Sequence, residues 1–199
     1  MSVGAPGEVV LPRRVLPQPT PDVVAGGDCG ACVLGGLLGW SSVERVYDVL
    51  VGKRQSISEG EMARILRYAV QHHGLDRALE EPAEWRTMSS HWCRAFGTTG
   101  FSESNAWFAY VRMAIDAGYY GIALVDADRR GLAGNGPNHW VLICGARTDG
   151  AWPGNGQTVT GEVLVSCSMR STGGLDEWVN AREFLRDRGG YNLFLARPA

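Results

Sequence analysis

The chain has 199 residues, 45% of them hydrophobic, with 27 glycines and 7 tryptophans, enough for one sizeable core and a single domain by default. Basic residues number 19 and acidic residues 21; the net charge of −2 supplies no positive field for phosphates, so nucleic acid is not expected as a partner. No apolar run reaches the length needed to cross a bilayer, so no membrane partner is expected either.

Residues 1–25 contain Pro6, Pro12, Pro17, Pro19 and Pro21. Proline at this density excludes helix and sheet interior, which predicts an extended arm, either a leader or a strap laid over the domain. Residues 26–199 are the predicted domain. It opens with the turn Gly26-Gly27, then Asp28-Cys29-Gly30-Ala31-Cys32 and the apolar run Val33 to Trp40. The run is too apolar for a surface helix, so it is read as a buried central helix with Asp28 as its N-cap.

Ser41-Ser42-Val43-Glu44 has capping-box spacing; Val43, Val46, Tyr47 and Leu50 follow on one face, and Gly52 is the stop. Ser58-Glu59-Gly60-Glu61 repeats the box ahead of the stripe Met62, Ile65, Leu66, Ala69, Val70 and His73, and Gly74 closes that helix. Glu80 to Gly100 is read as irregular, with one short helix through Trp85. Ser102 to Gly118 is a third periodic helix. The pattern then changes. Gly121 to Val125, His139 to Gly145, Glu162 to Cys167 and Tyr191 to Leu195 read as strands, with a short helix capped by Asn180 before the last. Helices first and strands after predict an α+β fold with an antiparallel sheet.

Five cysteines (Cys29, Cys32, Cys93, Cys144 and Cys167) are an odd number and do not form a disulfide framework at this length. The first thirty residues lack a basic start followed by an apolar core. A soluble, cytoplasmic protein with reduced thiols is the expectation.

Acyl transfer by a thiol needs a thiolate, an imidazole to move the proton, and donors for the oxyanion. Cys29 follows a cap residue, where helix N–H groups and the positive dipole end favour a thiolate. Cys32 lies about one turn further in, where the backbone donors are used by the helix. Among four histidines, His72 and His73 end an amphipathic helix and read as structural, and His91 sits in an irregular segment. His139 opens a strand, the place where a rigid element can present a base. A core helix with two inert cysteines and a surface histidine at a strand end is the bland alternative.

Gly27-Asp28-Cys29-Gly30 ahead of an apolar helix, and Asn138-His139-Trp140-Val141-Leu142, resemble the cysteine and histidine motifs of the bacteriocin-processing (double-glycine leader) peptidases, a papain-like family. Ala181-Arg182-Glu183-Phe184-Leu185 and Gly190-Tyr191-Asn192-Leu193 resemble that family's tail. The resemblance spans most of Gly26 to Pro198. It implies a papain-like fold, a central nucleophile helix packed on a C-terminal antiparallel sheet, Cys29 as nucleophile, His139 as its base and a peptide or protein substrate.

Two departures accompany it. The family has a glutamine about six residues before the cysteine; here Gln18 precedes Cys29 by eleven, so an oxyanion role for Gln18 requires a longer loop. The family also places Asp or Asn after the next strand to orient the histidine, and here Cys167 takes that place. Cys29-Gly30-Ala31-Cys32 further resembles the Cys-Gly-Ser-Cys of papain, in which the second cysteine reacts, so Cys32 competes with Cys29. The first choice is therefore a cysteine peptidase. Deamidation or acyl transfer on the same fold is the alternative, followed by a thiol-redox or non-catalytic binding module using the C-x-x-C. Cys29, Cys32, His139 and Cys144 can be counted as zinc ligands, but only one pair has ligand spacing, so neither metal nor cofactor is expected.

Overall fold

The structure is a computed structural model and describes residues 7–12, 14–19, 23, 27–80, 103–126, 138–148, 161–168, 176–188 and 193–199. Its centre is made by the apolar runs that the sequence offers as strands. β3 (Tyr120–Asp126) and β4 (Asn138–Thr148) pair antiparallel from Gly121–Ile143 to Asp126–Asn138. β5 (Gly161–Ser166) lies on the far side of β4, and β7 (Leu193–Pro198) on the far side of β3. Two strands that the sequence pattern does not predict complete the edges: β2 (Leu75–Glu80) against β7 and β6 (Asp176–Asn180) against β5. The order β2-β7-β3-β4-β5-β6 is antiparallel throughout. With helices on both faces, this is an α+β molecule.

Side chains alternate across the sheet and so divide the core. One face carries Ile122, Leu124, Trp140, Leu142, Cys144 and Phe194 and packs on α1 (Cys29–Leu37), α2 (Val43–Val46) and α3 (Glu59–His72). The other carries Ala123, Val125, Val141, Ile143, Val163 and Leu195 and packs on α4 (Glu103–Asp116) and α5 (Ala181–Arg188), where Trp107 stacks on Phe184 at 5.5 Å. The local signals hold at several helix ends. Ser58 and Glu61 form the full capping box and Asn180 Oδ1 accepts from Arg182 N at 2.9 Å. The box expected from Ser41 to Glu44 does not form: α2 is capped one residue later, by Ser42, whose hydroxyl accepts from Arg45 N. After Val46 the helix widens into a π-helical turn, Tyr47–Val51, which Gly52 ends at φ 76°.

The arm is a strap over its described length. β1 (Glu8–Val10) pairs with Gly145–Arg147 of β4, on the side that β3 vacates beyond Ile143. Leu11 N donates to Cys144 O at 2.7 Å, and Tyr120 Oη donates to Pro12 O at 2.8 Å. The chain then runs antiparallel along α1, from Arg14 near Leu37 to Leu16 at Cys32, and reaches the end of β5 where Gln18 N donates to Ser168 O at 3.1 Å. The irregular stretch expected from Glu80 to Gly100 lies almost wholly outside the described residues, as do His91 and Cys93.

Candidate active site

Every residue of α1 except Gly36 is buried, as its composition predicts. Gly27, at φ 93°, turns the chain into it. Asp28 occupies the N-cap position, but its carboxylate does not cap the helix, contrary to the expectation from sequence. It is fully buried and turns away: Oδ2 accepts from Val23 N at 2.7 Å and Oδ1 from Tyr47 Oη at 2.9 Å. A buried carboxylate needs donors, and these two come from the arm and the π-helical turn. Burial and then Asp28 push the Tyr47 hydroxyl pKa upward, so it stays protonated and donating.

Cys29 Sγ accepts a hydrogen bond from Trp140 N at 3.4 Å. The N–H groups of Gly30 and Cys29 at the helix start also favour negative charge on the sulfur. The approach of α1 to β4 depends on Gly30. A Cβ there would lie 2.9 Å from Trp140 Cδ1 and 3.2 Å from Ile57 Cβ. The indole that fills this space is fixed by Nε1 donating to Ile57 O at 2.7 Å.

The Trp140 nitrogen belongs to the peptide bond that follows His139. The sulfur thus rests against the His139–Trp140 peptide, and what it meets there is the Trp140 backbone N–H. His139 is 1% exposed and Cys29 8%. Strand alternation roots His139 on the α4 face, directly across from Val125, while Trp140 faces α1. Cys29 therefore sits at the end of the sheet, against the His139–Trp140 backbone.

The thiol differs from the expected thiolate in one respect. Burial pushes the Cys29 pKa above its ordinary value of 9.0, outweighing the backbone N–H groups of Trp140, Gly30 and Cys29 that lower it; the Asp28 charge raises it further. A helix end by itself favours the thiolate, and the depth of this sulfur reverses the balance. Cys29 is thus held as the thiol and not as a thiolate.

Gln18 lies beside the turn into α1. A Cβ on Gly27 would lie 3.6 Å from Gln18 Nε2, so the amide stands beside the turn leading into Cys29. Cys32 is elsewhere in character. It is fully buried under the arm, its thiol donates to Pro17 O at 3.8 Å, and its carbonyl accepts Leu16 N at 3.1 Å. Cys167 is buried on the α4 face, with the next residue, Ser168, buried and its Oγ lacking a hydrogen-bond partner among the described residues. His72 and His73 form an aromatic group with Tyr68 and Trp40, the Trp40 and His73 rings 5.6 Å apart. None of the four described cysteines is in a disulfide. Among the described residues no three of His, Cys, Asp and Glu cluster as metal ligands, and no helix is long and apolar enough to cross a membrane.

Sequence reasoning missed the Trp140 N–H, which every strand residue carries, and the Tyr47 hydroxyl, whose residue it placed on an apolar stripe. A tyrosine on such a stripe signals a buried hydroxyl that must find an acceptor.

Comparison with protein-family models, with curated proteins and with solved structures finds no match for this chain.

Proposed function

We propose that this chain is a papain-like cysteine hydrolase that cleaves a peptide or protein amide. The observation that carries the reading is the 3.4 Å bond from Trp140 N to Cys29 Sγ, which sets the helix-tip sulfur against the peptide bond that follows His139. In the proposed cycle, His139 takes the Cys29 proton as the sulfur attacks the carbonyl carbon. The oxyanion is held by the Cys29 N–H and the Gln18 amide. Its collapse breaks the C–N bond, and His139 returns the proton to the leaving amine. Water, deprotonated by His139, then attacks the thioester; its collapse releases the acid and returns the proton to Cys29. Each step uses protons and lone pairs already present, so no cofactor is invoked.

The buried state of Cys32 weighs against a dithiol redox site, because its sulfur is sealed under the arm and bonded to Pro17 O. Deamidation and acyl transfer share the same first half-reaction and differ in the acceptor. Reduced thiols suit a reducing compartment such as the cytoplasm. The test is turnover of a broad peptide library, with covalent trapping by a peptidyl electrophile. The expected result is one adduct, on Cys29, lost in both Cys29→Ala and His139→Ala. An adduct on Cys32, or turnover that survives His139→Ala, contradicts the reading.

A further inference from the structure

The two adjacent glycines in α1, Gly35 and Gly36, disfavour helix and serve no turn. The space around them explains their presence. A Cβ on Gly36 would meet Arg14 O at 2.2 Å, Arg14 C at 2.4 Å and Val15 N at 2.7 Å, all backbone. A Cβ on Gly35 would meet only the end of the Leu16 side chain at comparably close range, Cδ1 at 2.6 Å. The arm thus lies with its main chain directly on the helix at Gly36. From there it is held by Leu16 N to Cys32 O and by Gln18 N to Ser168 O, both 3.1 Å, and it delivers the Gln18 amide beside Gly27.

We propose that Gly36 is a positioning residue: by admitting the arm backbone onto α1, it sets where the Gln18 amide stands relative to Cys29. The inference rests on the cysteine-hydrolase reading above. It adds that the oxyanion donor is placed by a seat about two helical turns from the nucleophile. No flexible side chain can yield at Gly36, so a methyl there lifts the arm. At Gly35 the leucine can rotate, so the same methyl is tolerated better.

The experiment compares Gly36→Ala, Gly35→Ala, Gln18→Ala and the double variant Gln18→Ala/Gly36→Ala by amide exchange and by turnover. Gly60→Ala, where nothing lies within 4 Å, is the control. In Gly36→Ala the Leu16 and Gln18 amides should exchange at least about tenfold faster, while Cys32 N, bonded to Asp28 O inside the helix, keeps its protection. Its kcat should fall roughly 10- to 1,000-fold, as for Gln18→Ala, with KM little changed. The double variant should be no slower than Gln18→Ala alone, and alkylation of Cys29 by iodoacetamide, which forms no oxyanion, should be unaffected. Gly35→Ala should show the smaller effect in both readouts. Unchanged exchange at Leu16 and Gln18 overturns the inference whatever the activity. Faster exchange with full turnover, or a double variant slower than either single one, overturns it as well. Absence of any Cys29 adduct in the wild-type protein instead contradicts the hydrolase reading, and the exchange data tell the two failures apart. If Gly36→Ala does not fold, Gly35→Ala carries the same comparison at lower amplitude, and unchanged Leu16 and Gln18 exchange there overturns the inference.

Discussion

The two ends of α1 are built differently, though one apolar run supplies both. At its start the helix meets polar groups: a buried carboxylate bonded to Val23 and Tyr47, and a sulfur receiving the N–H of Trp140. At its end it meets the arm, through glycines that leave no room for a side chain. Cys29 belongs to the first environment, and Cys32, under Pro17, marks the start of the second. Two sulfurs one turn apart can thus have unlike chemistry, because a helix turn is long enough to pass from a sheet end to a sealed strap.

The largest effects should come from breaking the polar end. Cys29→Ala and His139→Ala should each abolish turnover to the same floor, because residues that act as a unit fail together. Their circular dichroism should stay that of a folded protein. Gln18→Ala should follow, with roughly 10- to 1,000-fold lower kcat in steady-state assays. Tyr47→Phe removes one of the two donors to the buried Asp28 carboxylate and should cost about 1–3 kcal/mol of stability in urea titration. Cys32→Ala should cost about 1 kcal/mol through a small lost volume, while turnover stays near wild type. If Cys32→Ala proves as inactive as Cys29→Ala, the two ends of α1 are not functionally distinct.

A pH dependence sharpens the same contrast. The folded-state pKa of Cys29 lies above its unfolded value, so folding favours the thiol. Its contribution to stability is full below pH 9.0 and is lost as pH rises through the folded pKa. Cys29→Ser should therefore flatten part of the alkaline fall in melting temperature above pH 9.0, read by thermal denaturation across pH.

Much of this arrangement is legible in the amino-acid sequence. The capping box at Ser58, the cap at Asn180 and the strand beginning beside His139 are local signals, and each is set by residues within a few positions. The edge strands β2 and β6 are not legible in that way. Leu75-Asp76-Arg77-Ala78-Leu79-Glu80 has no strand alternation, and it is extended because β7 offers a ladder. Asp28 illustrates the same limit at one residue. Its position before α1 predicts a cap, but Tyr47 and Val23, brought close by tertiary packing, offer donors away from the helix. The thiol of Cys29 likewise depends on depth, which spacing does not encode.

The central claim is that Cys29, and not Cys32, is the sulfur that forms an acyl bond with His139 as its base. It is tested most directly by trapping with a peptidyl electrophile at neutral pH, followed by peptide mapping, in wild type and in His139→Ala. The account predicts a single stoichiometric adduct on Cys29 in wild type and at least about 100-fold slower labelling in His139→Ala. Labelling of Cys32, or equal rates in the two proteins, would contradict it.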